Sequence, residues 1–404
     1  MKVIIAPDSF KECLSSPQVA AAMADAVRAR WPEAQVVELP LADGGEGTLE
    51  VLSSALGARP MKADVHDPLG RCIEARYACV GSTAIIEVAQ AVGLSLLSPA
   101  ERHPLKATSL GLGELLVAAY DEGCTRFVVG LGGTATCDGG AGMLRAPGIE
   151  RLRGVSFELL CDVDAPFVGP RGAARVFAPQ KGATPQEVEV REERMHRQAY
   201  ALLKRTGVDV SALPGAGAAG GLAGALLACF GATIHPGIDR VLDLVHFDDA
   251  LLGASLIITG EGKSDAQTLM GKVPMGVLRH AGARAGDVPV ALLSGRIEDR
   301  PALEHAGFGP VMEVTPRPLP LQEALAPRVA IQNLRQAVLE MPLQFDSYTR
   351  WTWSRTYNAL SALFRVIAHP WGGRITHFPA KNALYVPPQA LPGIKTFCIF
   401  VQMH

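Results

Sequence analysis

Short apolar runs that break into glycine, acid and hydroxyl recur along this chain. Val3–Ala6, Val36–Leu39, Phe127–Leu131 and Leu256–Thr259 are mostly apolar, rich in β-branched residues and bounded by turn formers, so each predicts a strand. Between them the apolar spacing changes to the helical period. Ser16 and Pro17 open a helix over Gln18–Trp31, rich in Ala, Met and Val and ended by Pro32. Gly44–Leu56 predicts a loop feeding a second helix. Leu110, Leu112, Leu115, Leu116 and Ala119 mark another within Thr108–Asp121, and a polar amphipathic helix follows near Glu187–Arg205. Alternating strands and helices imply a parallel sheet with right-handed crossovers.

The stretch 63–100 reads differently, with a turn at Asp67–Gly70 and strand-like runs at Cys72–Val80 and Ala84–Val88. Strand, loop and helix alternate again from Leu256 through Val288–Leu293 and Val311–Val314. The expected fold is α/β with two domains. A Rossmann-like parallel-sheet domain is discontinuous over 1–62 and 253–340, and a second α/β domain, 63–252, is inserted into it. The composition shifts at 341–404, which hold three of the four tryptophans and one acidic residue, Asp346. These residues read as an atypical aromatic-rich tail.

A chain of 404 residues, 48% hydrophobic and 19% charged, has ample material for more than one core. A net charge of −2 without basic runs predicts no nucleic-acid partner. No run reaches the ~20 apolar residues of a membrane span, and the apolar stretch before Pro7 is short for a signal peptide. The eight cysteines form no CxxC and no zinc-like spacing with histidine, which predicts free thiols in a cytoplasmic protein.

The candidate chemistry lies where the strands end. Phe127–Gly142 places Gly130, Gly132, Gly133, Thr134, Thr136, Asp138, Gly139 and Gly140 directly after a strand. Glycines there let backbone N–H groups approach an anion, threonines add donors, and a carboxylate can hold Mg²⁺. Asp8, Ser9 and Lys11 follow the first strand, and Asp43, Gly44, Gly45 and Glu46 the second. Glu261, Gly262, Lys263 and Asp265 follow Leu256–Thr259. Ligands of open α/β sheets bind outside the carboxyl ends of strands, so these ends are expected to share one crevice suited to phosphoryl transfer.

The motifs APDSFKECLSS (Ala6–Ser16), PLADGGEGT (Pro40–Thr48) and GLGGTATCDGGAGM (Gly130–Met143) together resemble the bacterial type-1 glycerate kinase family. So do Cys161–Thr184, Gly215–Leu227 and Ile258–Val277. The resemblance covers roughly residues 1–340. It implies two α/β domains with the active site between them, and ATP- and Mg²⁺-dependent phosphorylation of D-glycerate, to 2-phosphoglycerate rather than 3-phosphoglycerate. Asp8, Lys11, Asp43, Asp162 and Glu261 are the expected catalytic residues. Ser9, Gly44, Gly45, Glu46, Gly132, Gly133, Thr134, Thr136, Gly139, Gly140, Lys181, Gly262 and Lys263 are expected to bind substrate or ATP, and Asp138 and Asp265 the metal. Which carboxylate is the base stays open. The chain departs from the family at Cys137 and Ala165, each where asparagine is usual, and in a short connection, Leu144–Ser156. A catalytically impaired, ligand-binding remnant of the family is therefore an alternative. Gly215–Gly220 matches GxGxxG with Asp239 downstream, which gives an NAD(P)-dependent oxidoreductase as another.

Overall fold

The computed structural model describes residues 1–286, 288–315 and 319–342, together with the backbone of two short strands near the C-terminus. Met1–Leu343 forms one compact unit and Gln344–His404 a second. In the second, Ala383–Tyr385 pairs antiparallel with Cys398–Phe400. The rest of the aromatic-rich tail lies outside the described residues.

The first unit is α/β and holds two sheets. Strands β1 (Lys2–Ile5), β2 (Gln35–Glu38), β9 (Leu256–Ser264), β10 (Val290–Ile297) and β11 (Val311–Glu313) form an all-parallel sheet in the order β11-β10-β9-β1-β2. Between β2 and β9 in sequence lie β3 (Arg59–His66), β4 (Cys72–Val80), β5 (Thr83–Glu87), β6 (Arg126–Gly130), β7 (Ser156–Leu160) and β8 (Thr233–His235). These make a six-stranded mixed sheet in sequence order, antiparallel at β3–β4–β5 and parallel from β5 to β8. Two of its strands were not anticipated. β3 alternates exposed Lys62 and Asp64 with less exposed Met61, Ala63 and Val65, which weakens its apolar signal, and β8 is very short.

After Lys2, β1 is apolar and buried because it is covered on both faces, as parallel sheets usually are. The helix Ser16–Arg30 covers it with Val19, Met23 and Val27 and packs on the helix Pro327–Glu340. The Ser15 N–H donates to Gln18 Oε1 at 2.9 Å, so the cap lies one residue before the expected one. In the mixed sheet the side-chain period of two decides where each apolar residue goes. Ala84, Ile86, Phe127, Val129, Phe157 and Leu159 fill one core, under the helices Leu110–Asp121 and Ala218–Phe230. Their alternates Ile85, Val128 and Leu160 join Ile4 and Ile257 of the parallel sheet, with Leu41 and Leu52 beside it, in a second core. The two sheets therefore share hydrophobic interior, which holds the Asp43 loop against the ends of β6 and β7.

Candidate active site

Strand register places three acids together. Ile5 of β1 is the partner of Ile258 in β9 and of Glu38 in β2, and all three strands are parallel. Asp8 lies three residues beyond Ile5 and Glu261 three beyond Ile258, so equal displacement brings them to the same edge. The Asp8 N–H donates to the Gly260 carbonyl at 2.8 Å, and the Leu41 N–H to the Pro7 carbonyl at 2.9 Å, which draws in the Asp43 loop. Asp8, Asp43, Glu261, Lys11, Lys263 and Lys272 all line one cavity of about 620 Å³. Ser9 and Gly262 complete this end of it. Glu261 lies within β9, not in a loop after it, because β9 and β10 stay paired as far as Ser264 and Ile297.

Burial shifts the protonation of Asp8 and Glu261. Asp8 is 6% exposed. Its pKa is pushed up to about 7, first by burial and then by Asp43, against the pull of the Ser9 N–H and Lys11. Burial also raises Glu261, which accepts from Thr268 Oγ1 at 2.5 Å and Ser264 Oγ at 2.9 Å. Asp162 is pushed up to about 6, chiefly by burial; it accepts the Gly237 N–H at 2.7 Å and feels Asp43 across the loop. Such a cluster favours a cation or the proton of a substrate. No three His, Cys, Asp or Glu side chains among the described residues form a ready cage for a metal. Mg²⁺ does not need one, because it is commonly held by one or two carboxylates together with substrate phosphates.

Comparison with known proteins agrees with this chemistry. The model of the glycerate kinase family matches residues 3–153 and 149–342. The chain belongs to the glycerate kinase family. It is 40% identical to the glycerate kinase of Bacillus subtilis (strain 168), covering 80% of this chain and 93% of that protein. It is 37% identical to the glycerate 2-kinase of Escherichia coli (strain K12), covering 83% and 96%. A crystal structure described as a candidate glycerate kinase 2 from Salmonella typhimurium LT2 superposes with a TM-score of 0.73 at 39% identity, covering 84% of this chain and 96% of that one.

The two matched stretches overlap at 149–153, inside the connection that the resemblance reads as short. Here it consists of two 3-10 turns, Met143–Arg145 and Ile149–Leu152, with Met143, Ile149 and Leu152 buried in the mixed-sheet core. The shortened chain therefore closes over a packed interior. Cys137 is fully buried, with its thiol raised by burial, and the Ala165 carbonyl accepts the Gly217 N–H at 2.9 Å.

The glycine-rich segment after β6 makes close backbone contacts with neighbouring loops. None of Gly130–Gly142 lines the acidic cavity. A Cβ on Gly130 would lie 2.7 Å from the Gly44 carbonyl, and one on Gly132 would lie 2.5 Å from Gly45 Cα. These glycines let two loops touch. Gly139 and Gly140 have positive φ and face Phe167 and Ala225. Asp138, an expected metal ligand, accepts the N–H groups of Ser109, Gly140 and Gly142 and the Ser109 hydroxyl at 2.9–3.1 Å, so its oxygens organise the loop. Lys181 is 4% exposed and donates to Thr134 Oγ1 at 2.9 Å and the Thr136 carbonyl at 2.7 Å. Burial lowers its pKa to about 8. Lys181→Met should leave those acceptors unmet and cost about 1–3 kcal/mol of stability, read as a lower denaturant midpoint. A midpoint equal to wild type would show the lysine free to serve elsewhere.

Other expected residues fall into place around the cavity. Gly44, at φ +89°, packs under Leu160, and the Gly45 N–H donates to Asp43 Oδ1 at 3.1 Å, so both shape the Asp43 loop. Asp265 caps a turn through the Gln267 N–H at 2.8 Å and pairs with Lys263 at 3.3 Å. Gly215–Gly220 follows no strand. Gly217 packs on the Pro166 carbonyl and Gly220 on that of Thr136, the role of close contact and not of a dinucleotide turn.

Sequence reasoning passed over Glu87. It ends β5, is buried, and is pushed up to about 7 by burial against the Leu49 N–H at 3.2 Å. The run TAIIE carries the same signal as the other sites, an apolar strand closing on an acid. Sequence reasoning passed over Asn333 too, which lines the acidic cavity.

Proposed function

We propose that this protein transfers the γ-phosphoryl group of ATP to D-glycerate, in the cavity lined by Asp8, Asp43 and Glu261, giving 2-phosphoglycerate. The convergence of these three acids with Lys11, Lys263 and Lys272 carries the reading. One end of the cavity is charged and suits a triphosphate. The other is lined by Val314, Leu321, Ala324, Leu325 and Ala330, and there the buried Asn333 Nδ2 has no hydrogen-bond partner. An apolar slot with one unspent amide suits a nucleobase.

Asp43, with one oxygen on the Gly45 N–H, would hold the Mg²⁺ of the nucleotide. Bound there, the ion would neutralise phosphate charge. Lys263 and Lys272 add positive charge at the same end, and Lys11 stands at the acceptor side. Asp8, poised near neutrality, takes the proton from the attacking hydroxyl. The Rossmann-like domain (1–62 and 253–340) would supply this chemistry, since every residue named in the lining of the cavity belongs to it. No helix among the described residues is long and apolar enough to cross a membrane. Cys79 Sγ and Cys124 Sγ, 3.3 Å apart and unbonded, suit a reducing cytoplasm.

Purified protein with MgATP should release ADP only when D-glycerate is added. In the ³¹P spectrum of the product, a doublet marks phosphate on the 2-carbon, with its single proton, and a triplet marks the 3-carbon. Nucleotide binding without ADP release would instead make this chain an inactive relative, and a triplet would overturn the 2-position.

A further inference from the structure

A second cavity, of about 760 Å³, adjoins the first and shares Ser9, Phe10, Lys11 and Cys13 with it. The shared wall is a tight turn. Phe10 and Leu14 exchange N–H···O bonds at 2.9 Å, and Glu12 between them holds φ +62°, a strained value for a residue with a Cβ. The opposite wall comes from the antiparallel pair β3–β4, where Lys62 and Arg76 are direct register partners. Like charges opposite one another across a ladder repel. Glu74 answers Lys62 at 2.7 Å, whereas Arg76 has no ion pair or hydrogen bond to its side chain among the described residues. Buried Glu87 lines the same cavity and stands in the field of Arg76.

We propose that this second cavity is the acceptor subsite, where Arg76 pairs with the carboxylate of a small hydroxy acid whose hydroxyl faces the Ser9–Lys11 wall. This assignment rests on the kinase reading of the first cavity. A guanidinium presents parallel N–H donors that match a carboxylate. Glu87 and Gln90 offer polar atoms to the remaining hydroxyls. Glu12, Glu46, Glu50 and Glu87 around the cavity oppose a polyphosphate, so a second nucleotide is disfavoured and a singly charged, hydroxyl-rich acid fits. Lys11, on the wall common to both cavities, is placed to meet the acceptor hydroxyl and the incoming phosphoryl group together. The cavity exceeds a three-carbon acid, so longer hydroxy acids should bind as well.

Arg76→Gln and Arg76→Lys test the assignment in the full chain. The side chain is exposed and off the core, so both variants should fold like wild type. Losing a charge-assisted pair should raise KM for D-glycerate about 10–100-fold. KM for ATP should not change, and the lysine variant should fall between. Calorimetric titration of D-glycerate into the nucleotide-free protein gives a readout independent of turnover, and the Gln variant should lose that binding. If wild type turns over D-glycerate and Arg76→Gln keeps its KM, the subsite assignment falls and the kinase reading stands. If wild type is inactive yet binds D-glycerate through Arg76, the kinase reading falls and the subsite stands. No binding and no turnover in wild type overturns both.

Discussion

Asp8→Asn should slow turnover severely and yet make the folded chain more stable above neutral pH. The Asp8 carboxyl titrates near 7 in the fold, against 3.8 for the ordinary group, because burial and Asp43 oppose its charge. A raised carboxyl pKa means that the folded state holds its proton more tightly than the unfolded state does. That contribution is fully present below about pH 4 and is lost as pH rises through 7. At pH 8 wild type carries a buried, repelled charge that asparagine lacks, and the variant should gain on the order of 1–3 kcal/mol. At pH 4 both side chains are neutral and the gain should vanish. Removing a positioned base should lower kcat by about 10²–10⁴-fold. Thermal melts in chelator at the two pH values, beside turnover, check both halves. Full activity in the variant would remove Asp8 from catalysis, and a pH-independent gain would remove the charge argument.

Gly132→Ala should damage both stability and catalysis, although the glycine lines neither cavity. Its Cβ would sit 2.5 Å from Gly45 Cα, where backbone meets backbone and no flexible side chain can yield. Overpacking of this kind costs about 1–3 kcal/mol. Relief by moving the Gly44–Gly45 loop displaces Asp43, and a shift near 1 Å can cost about 10²-fold in rate. Gly133→Ala is the control. Its new Cβ would meet only Ala89 Cβ, at 3.3 Å, so the cost is the left-handed backbone, φ +72°, worth about 1–2 kcal/mol. Its ATP affinity should match wild type. A folded Gly133→Ala chain that no longer binds ATP, beside a Gly132→Ala chain that does, would restore a phosphate cradle after β6.

The placement of Asp8, Asp43 and Glu261 was legible because each follows an apolar run in a parallel strand. Topology alone then gathers such ends on one edge. The loop after β6 is harder to read, for a physical reason. A glycine that admits a phosphate and a glycine that admits another chain segment both simply lack a Cβ. The residue that decides between them, Gly45, is far away in sequence and invisible to local pattern. Lys181 is a similar case, since its acceptors Thr134 and Thr136 come from a distant loop. Arg76 escaped notice because a lone arginine in an exposed strand has no local signature. Its interest arises only from standing opposite Lys62.

The pairing of β1 with β9 joins Val3 to Leu256 and completes the parallel sheet only when residues more than 250 positions apart have both been made. At ribosomal speeds of about 5–20 residues per second, the interval between them is roughly 13–50 s. Through that time β1 can pair with β2 while its other edge, three fully buried apolar residues in the finished fold, stays open as a template for foreign strands. All six strands of the mixed sheet emerge inside this interval and can find their partners first. Synthesis therefore ends with the N-terminal strand waiting longest for its place, and chaperone demand on the nascent chain should centre on residues 1–40.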